Sequence, residues 1–457
     1  MREAFLVSKP NGLALRALNY TPAVENLRTR HRTSSTTLRS LISEMGPAYG
    51  SVFTRVDCDR DYGIELIAQG DMFAAEPVGR IIRRDSMARP EQHLVKSWQV
   101  LIAGAGTLGE HELFGRPVIA DSRIQGSYVG PDAMVLTFRE PGSDESLFAY
   151  AFMLTRIGLR AIRATCCGTK ILRLRKDLLN DLPIPLPNSS VRGRVASLIR
   201  RYVEQIEIYL REVRAARRTL EELEDMREAR KKLLDKSAKA TLWAGTLPTL
   251  RAWNFVSAGH AMSFLTEKWS RRLSDALDDG GLFGGDRFAR IPCQTPHGVL
   301  MLSQRDVFAI RPVPRRIVRP IGLQLGVNES TLLLASRGQI KEGNLFGRIE
   351  RGAHMPSGAI VTGDCTRLQT RPALSAGLYA YFSTEIGRSL LRSTAYGTSI
   401  PGMRADLLLS LPIPSDELLL RSVPHVEAAT VARRAAAQAE GEAIHIIEAE
   451  VLASWLG

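Results

Sequence analysis

The sequence predicts an α+β fold made of two copies of one module, each followed by a long helix. Three observations predict it: an ordered internal repeat, mixed strand and helix patterns within each copy, and a long stretch after the first copy whose apolar residues have helical spacing. We assign residues 1–187 to module 1, 188–246 to a central helix, 247–414 to module 2 and 415–457 to a C-terminal helix.

The internal repeat is clearest near the end of each module. Gly168-Thr169 begins one copy of a segment and Gly397-Thr398 begins the other, and both segments run into the tetrapeptide Leu-Pro-Ile-Pro, at 182–185 and 411–414. Matching pairs continue upstream in the same order: Arg163 with Arg392, Gly158 with Gly387, Leu113–Arg116 with Leu345–Arg348, Phe73 with Phe308, Asp71 with Asp306, and Gln69 with Gln304. Because chance similarity does not keep its order over so long a span, the repeat indicates a duplication.

Within each module, short apolar segments predict strands and longer segments with helical spacing predict helices. Strands are predicted at 133–138 and 359–361, and helices at 148–164 and 378–393. We expect the matched acids Asp71 and Asp306 to cap or brace turns rather than to catalyse a reaction. The two Gly-Thr pairs are likewise expected to form turns.

The stretch after module 1 predicts a long helix with one apolar face. It has no proline from Val191 to about Lys239, and its apolar residues recur every three or four positions. These residues are Ile199, Tyr202, Ile206, Tyr209, Val213, Ala216, Leu220 and Leu223. A helix of this length spans roughly 70 Å at about 1.5 Å per residue. A second, alanine-rich helix is predicted from about 424 to 456, and we expect the two helices to pack as an antiparallel coiled coil.

The charge of the chain favours a polyanionic partner. The formal net charge is +13, as is common in proteins that bind nucleic acid, although a soluble protein with a generally positive surface would have the same balance. The five cysteines are odd in number and form no Cys-x-x-Cys pair, which argues against a disulfide framework and a zinc site. The first residues lack a signal-peptide core and no apolar run reaches about 18 residues, so we expect a cytoplasmic protein without membrane spans.

One segment has the pattern of a cofactor-binding motif. Gly104, Gly106 and Gly109 follow an apolar run, as in dinucleotide-binding folds, where a helix must come next. Here Gly115 and Pro117 follow within eight residues, and module 2 keeps only one of the three glycines. We therefore interpret the segment as a turn between strands.

Other catalytic patterns are missing from the sequence. It has no phosphate-binding loop, no metal-spaced histidine pair, no serine or cysteine nucleophile motif and no Asp/Asn-Pro-Pro-aromatic tetrapeptide. We predict no catalytic residues, no metal and no cofactor.

The duplicated order of motifs resembles that of a known family. A glycine turn, a helix, Gly-Thr-x-Ile, Asp-Leu, Leu-Pro-Ile-Pro and a long helix, all in two copies, are similar to the specificity (S) subunit of type I restriction–modification enzymes over nearly the whole chain. Module 1 departs from the pattern, because Leu172-Arg173 stand where module 2 has Pro401-Gly402. The glutamine-rich start of the family's helix is also replaced, by 191–194. A specificity subunit of another methylation-linked phage-defence system therefore stays an alternative.

The resemblance implies that each module is a target-recognition domain for one half of a split site in double-stranded DNA. It implies that the paired helices set the spacing of the halves and dock two methyltransferase subunits, with or without restriction subunits. Those partners would methylate an adenine at N6, and this chain would be non-catalytic. Two hypotheses of other classes stay open: a dinucleotide-binding enzyme that uses Gly104–Gly109, and a coiled-coil scaffold that binds protein.

Residues that would contact DNA are selected by chemistry, because phosphates attract arginine and lysine while arginine and glutamine also bind base edges. Two basic runs follow the matched residues Pro77 and Pro312, and further candidates surround the repeated Gly-Thr segment and the module 2 turn. The candidates are Arg80, Arg83, Arg84, Lys170, Arg173, Arg175, Arg315, Arg316, Arg319, Arg337, Gln339 and Arg404.

Overall fold

The structure is a computed structural model, and it describes residues 17–20, 35–46, 55–86, 90–234, 257–284, 287–294, 297–321, 326–340 and 343–453. The chain forms two compact units. Unit 1 comprises Met1–Glu207 with Ala435–Gly457, and unit 2 comprises Ile208–Arg434. Each unit contains one module, and the two long helices contribute residues to both units. The four sequence-based domain boundaries stay a prediction, and part of the central segment lies outside the described residues.

In chain order, the strands of module 1 are β1 (Ser35–Thr37), β2 (Ile42–Gly46), β3 (Gly63–Ile67), β4 (Arg80–Arg83), β5 (Val100–Ala103), β6 (Ala105–Gly106), β7 (Pro117–Ile119), β8 (Tyr128–Val129), β9 (Ala133–Phe138), β10 (Cys166–Cys167), β11 (Leu172–Leu174) and β12 (Pro183–Pro185). Its helices are α1 (Leu38–Leu41), α2 (Asp144–Leu154), α3 (Arg156–Arg163) and α4 (Lys176–Asn180). They are followed by α5 (Ser189–Glu221) and α6 (Glu224–Leu234). Short 3-10 turns lie at Ala17–Tyr20, Arg60–Tyr62, Asp71–Phe73, Arg84–Ser86 and Pro90–His93.

The strands of module 2 are β13 (Leu277–Phe283), β14 (Gly298–Leu302), β15 (Arg315–Val318), β16 (Thr331–Ala335), β17 (Ile349–Arg351), β18 (Ile360–Val361), β19 (Cys365–Thr370), β20 (Ala395–Tyr396) and β21 (Gly402–Met403). The helices are α7 (Ser257–Lys268), α8 (Gln304–Val307), α9 (Pro372–Ser383), α10 (Glu385–Ser393), α11 (Ala405–Leu409), α12 (Asp416–Leu420) and α13 (Val423–Ile446). Turns of 3-10 type lie at Leu273–Ala276 and Gly352–His354, and a π-helical turn, Ile447–Leu452, continues α13.

The two modules have the same sheet topology. An antiparallel main sheet has the order β2-β9-β5-β7 in module 1 and β13-β19-β16-β17 in module 2. A small sheet has the order β4-β3-β8 in one and β15-β14-β18 in the other, with one antiparallel and one parallel pairing each. The predicted α+β class and the two pseudo-repeated modules are therefore confirmed.

The matched phenylalanines Phe73 and Phe308 lie in equivalent cores. Phe73 packs in a cluster with Leu101 of the main sheet, and Phe308 packs in a cluster with Leu333 at the equivalent position. Because a buried aromatic ring removes a large apolar area from water, these positions tolerate little change in either module.

Each predicted long helix within a module is in fact two helices. Thr155 separates α2 from α3, and Thr384 separates α9 from α10; both residues have extended backbone conformations. The threonine hydroxyl accepts a 3.0 Å hydrogen bond from the amide of the matched glycine, Gly158 or Gly387. The threonine therefore caps the second helix, and the helix predicted at each place is broken by this cap.

The central helix predicted as continuous is also interrupted, at Glu222-Leu223 between α5 and α6. No proline or glycine causes the break. Instead, α6 turns to pack on α7, where Met226 and Leu265 are buried in one apolar cluster and the Trp269 indole donates a 2.9 Å hydrogen bond to Asp225. Tertiary packing therefore decides where the helix ends.

The predicted apolar stripe is buried along α5, except that Leu223, just beyond it, is half-buried. Within unit 2, His425 of α13 lies 2.8 Å from Glu212, and the Arg433 guanidinium lies 5.6 Å from the Tyr209 ring. These parts of α5 and α13 therefore run antiparallel. A coiled-coil seam along the two full helices stays a prediction.

A buried charged cluster joins α13 to module 2. Arg433 donates 2.8 Å hydrogen bonds to the Glu350 carboxylate and to the Ala309 carbonyl. The His354 ring contacts Glu350 at 2.7 Å and Thr430 at 3.0 Å. Burial alone would raise the pKa of the Glu350 carboxyl, but Arg433 and His354 outweigh it and hold that pKa at about 2.

Module 1 fills the equivalent place with its own arginine. Arg123 donates a 2.8 Å hydrogen bond to the carbonyl of Ala74, which matches Ala309 in the repeat, and forms a fully buried ion pair with Asp121. The same carbonyl position is therefore bound by a module residue in unit 1 and by a helix residue in unit 2.

Candidate nucleic-acid interface

The matched glutamines hold the glycine-rich turn. Gln69 donates a 2.7 Å hydrogen bond to the Ala105 carbonyl and accepts one of 3.0 Å from the Ala105 amide. Gln304 donates a 3.0 Å bond to the Arg337 carbonyl at the equivalent place. The repeated glutamine is therefore a support for the loop that carries Arg337 and Gln339, both of which are exposed.

The Gly-Thr segment forms a hairpin beside this turn in both modules. Gly168 and Gly397 have φ values of +96° and +104°, which favour glycine, so the expected turns are confirmed. In module 1, β11 pairs with β6, so that Arg173 lies opposite Ala105. In module 2, the Gly338 amide donates a 3.2 Å bond to the Pro401 carbonyl. The hairpin places Lys170 and Arg173 at the surface of module 1.

The glycine-rich segment is not followed by a helix. β6 ends at Gly106, residues 107–116 form turns, and β7 then returns antiparallel to β5. A dinucleotide pyrophosphate requires the N-terminus of a helix directly after the last glycine, and this segment does not supply one. Its interpretation as a turn between strands is confirmed.

The two basic runs lie on edge strands of the small sheets. Arg80 and Arg83 of β4, with Arg84 just after it, are exposed, as are Arg315 of β15 and Arg319 after it. Arg316 is half-buried and donates a 2.8 Å hydrogen bond to the Gly298 carbonyl. The structure therefore brings five of these six candidates to exposed positions along two equivalent edges.

The module 1 arginines of this edge each have an acidic partner. Arg80 pairs with Asp57 and Arg84 with Glu91, both at 2.8 Å, and Arg83 pairs with Asp85. The hydrogen bond from Arg83 lowers the pKa of the Asp85 carboxyl. All of these side chains are about half exposed or more, so the pairs contribute little stability.

Arg175 and Arg404 have the same local partner in both modules. Arg175 precedes α4 and donates through Nε to Asp177 at 3.1 Å; Arg404 precedes α11 and donates to Asp406 at 3.0 Å. The hydrogen bonds lower the pKa of both carboxyls. This geometry supports a role in starting the short helices, and a DNA contact by either arginine stays a prediction.

The matched acids Asp71 and Asp306 brace turns, as predicted. The Asp306 carboxylate accepts a 2.9 Å hydrogen bond from the Ser303 amide in a capping box at the start of α8. Asp71 accepts a longer bond, of 3.3 Å, from the Ala68 amide.

Sequence reasoning missed an outer segment on each edge strand. Backbone groups of Val56 and Cys58 bond to β4, and those of Ile291 and Cys293 bond to β15. Arg55 precedes one segment and Arg290 the other, and both are exposed. Arg55 and Arg290 are separated by the same number of residues as Gln69 and Gln304. The repeat therefore continues upstream of the glutamines, and this match is the sequence signal for the outer segments.

The described residues contain neither a cluster of side chains placed to hold a metal ion nor a helix able to span a membrane. Among those residues, no group of three or more His, Cys, Asp and Glu side chains is placed to hold a metal ion. In the same part of the chain, no helix combines the length and apolar character needed to cross a bilayer.

No protein-family model matches the chain, and no curated protein sequence matches it. Solved structures do. The S subunit of a type I restriction–modification system from M. genitalium is 14% identical, with 91% of this chain and 93% of that chain covered and a TM-score of 0.31. The HsdS subunit from Thermoanaerobacter tengcongensis is 13% identical, with 91% and 95% covered and a TM-score of 0.27.

A third matching chain comes from a structural study of complex assembly and conformational transition of the type I R-M system. It is 15% identical, with 91% of this chain and 96% of that chain covered and a TM-score of 0.27. The chain is thus similar to S subunits of type I restriction–modification systems, the family that its repeated motifs resemble.

Proposed function

We propose that this chain is a DNA-specificity subunit that binds a bipartite duplex target, with one half-site for each module. It would dock adenine-N6 methyltransferase subunits, two in number, and with them restriction subunits where the system has them. The chain itself would supply target recognition and spacing, and the partners would supply the chemistry.

The observation that carries the proposal is the pair of equivalent basic edges. Both modules have the same strand order, and both expose an arginine at the start of the small-sheet edge strand, Arg80 or Arg315. Arg84 and Arg319 follow at equal separation. Two similar but non-identical sets of exposed arginines suit an asymmetric, divided DNA site, because phosphates are common to both halves and the bases are not.

The helices support a role in spacing. α5 alone has 33 residues, so it extends roughly 50 Å at about 1.5 Å per residue. A continuous helix holds a distance that a flexible linker does not, and half-sites one DNA turn apart are separated by roughly 34 Å.

The proposal is tested by selection from a random duplex library with the full chain, alone and with a co-expressed adenine methyltransferase from the same genome. We expect a motif of two conserved halves separated by a fixed number of unspecified base pairs. We also expect affinity to fall steeply as salt rises from 50 to 200 mM, because counterions are released on binding (about 10³-fold for six phosphate contacts).

Enrichment of no motif under either condition would contradict the proposal. So would a salt-independent affinity, because the proposed contacts are mainly to phosphates. Sequencing of methylated adenines in cells that express both proteins gives an independent measurement of the same motif.

A further inference from the structure

Arg83 and Val318 occupy the same place in the two modules. Arg83 pairs with Gly63 across the small sheet, and Val318 pairs with Gly298. On the other side, the Arg83 amide donates a 2.9 Å hydrogen bond to the Val56 carbonyl, and the Val318 amide donates one of 2.9 Å to Ile291. The backbone on both sides is therefore equivalent, and the two residues differ only in the side chain that they present.

Two exposed arginines near this position are shared by the modules. Arg80 and Arg315 precede it by three residues, and Arg84 and Arg319 follow it directly, all exposed. A feature that both modules share cannot distinguish two different half-sites. The shared arginines therefore suit phosphates, and the position between them is free to differ with the bases.

The residue at this position and its ion-pair partner both differ between the modules. In module 1 the Arg83 side chain is 53% exposed and donates through Nε to Asp85 at 2.9 Å. Module 2 replaces both members of the pair, with Val318 for the arginine and Pro320 for the aspartate. Because the partners change together, we treat the arginine and its carboxylate as one functional element.

The geometry of the pair suits a guanine. A guanidinium has five N–H donors, and the Asp85 carboxylate takes one from Nε and one from Nη2. The end of the guanidinium, formed by Nη1 and the second Nη2 hydrogen, has the two parallel donors that match guanine O6 and N7. The carboxylate fixes the plane of the guanidinium, which lowers the entropy lost on binding.

The module 2 edge is apolar at the same place. Val318 is 46% exposed, and beside it the paired residue Ile291 is 56% exposed. Ile321, three residues further on, is also exposed. Aliphatic side chains between arginines provide contact for the C5-methyl group of thymine and no hydrogen bond for guanine.

We infer that Arg83 and Val318 determine a difference between the two half-sites: Arg83 binds a guanine in the half-site of module 1, and Val318 contacts a thymine methyl in the half-site of module 2. This inference rests on the proposed function. The occupant is double-stranded DNA, because the exposed arginines on both sides of the position complement phosphate charge.

The test exchanges the side chains, as Arg83→Val and Val318→Arg with Pro320→Asp, and repeats the random duplex selection with the full chain and its methyltransferase. Each side chain is already accommodated on an equivalent edge strand, and far-ultraviolet circular dichroism and thermal unfolding verify that the variants fold. For R83V, the selected motif should no longer prefer guanine at one position of the first half-site. This variant should bind the wild-type site 10- to 100-fold more weakly, the range of one bidentate base contact. For the module 2 variant, the selected motif should have guanine in place of thymine at one position of the second half-site, and the first half-site should be unchanged.

Arg80→Ala is the matched control, because it should weaken binding to all sequences equally and leave the motif intact. If R83V also weakens all sequences equally, Arg83 contacts only phosphate and the inference is wrong, while the proposed function stands. If neither exchange alters the bipartite motif, the inference is likewise wrong and the proposed function stands. If the wild-type chain enriches no motif, the proposed function fails, and the inference fails with it.

Discussion

Arg433 of α13 donates a 2.8 Å hydrogen bond to Glu350 in the middle of β17, and each side chain is only 5% exposed. A buried charge without its partner is costly, whereas an exposed ion pair contributes little. The contact therefore attaches the C-terminal helix to module 2.

Glu350→Gln is expected to lower the free energy of unfolding of unit 2 by about 3 kcal/mol or more, because it leaves Arg433 buried without a counter-charge. Chemical denaturation followed by circular dichroism measures this loss. Glu385→Gln is the matched control, since it removes an exposed partner of Arg230 and should cost less than about 1 kcal/mol. Equal losses in the two variants would contradict the assignment of a stabilising role to the buried pair.

Stability should fall as the pH is lowered through the ordinary histidine range. Burial lowers the pKa of His354; the charge of Arg433 lowers it further, and Glu350 opposes the shift without reversing it. Near pH 6 the unfolded chain therefore binds a proton that the folded chain does not. Glu350 contributes in the same direction only at lower pH, because its pKa of about 2 lies below that of an unfolded carboxyl. The melting temperature should therefore drop between pH 8 and 5.5, and His354→Gln should make this drop smaller. An undiminished drop in the variant would assign the pH dependence to other groups.

Gly158→Ala should destabilise unit 1 by about 2 kcal/mol or more, as overpacking does. A Cβ there would lie 2.0 Å from the Phe152 carbonyl oxygen, so the junction of α2 and α3 must shift. Gly441→Ala in α13 is the control, because nothing lies within 4 Å of the added atom and alanine is the better helix former by about 1 kcal/mol. In thermal unfolding, the melting temperature of Gly158→Ala should be lower than that of the wild type, and the melting temperature of Gly441→Ala should be higher.

The paired substitution Arg80→Ala and Arg84→Ala should lower the slope of log affinity against log salt by about 2, since each lost phosphate contact contributes about 0.9. Affinities for the selected site and for random duplex should fall by similar factors. Arg421→Ala removes one exposed arginine of another ion pair and is the control for the loss of such an arginine elsewhere, with no change of slope expected. A slope unchanged by the double substitution would exclude these arginines as phosphate contacts.

Lengthening both helices should change the spacing of the half-sites. Seven residues inserted after Glu207 in α5 and after Arg434 in α13 add about two turns, roughly 10.5 Å, where one compact unit ends and the other begins. The motif recovered by library selection should then have up to about three more unspecified base pairs, with both halves unchanged. Unchanged spacing would contradict the role of the helices in setting it.

The sequence by itself determined the duplication, the α+β class, the strand Ala133–Phe138 and the turn nature of the glycine-rich segment. These features depend on local periodicity and on the order of matched residues, both of which are present in the chain before it folds. It also identified the stripe from Ile199 to Leu220, which is buried as its spacing indicates.

Only the tertiary structure decided where the helices end and what the basic residues contact. The threonine caps at Thr155 and Thr384 act through hydroxyl bonds that helical periodicity does not register, and the end of α5 depends on the packing of α6 against α7. The pairing of Arg83 with Asp85 and the placing of Val318 at the equivalent edge required both modules to be folded. The physical reason is that contacts between residues distant in sequence, and the exposure that remains after them, are set by the packing of the whole unit.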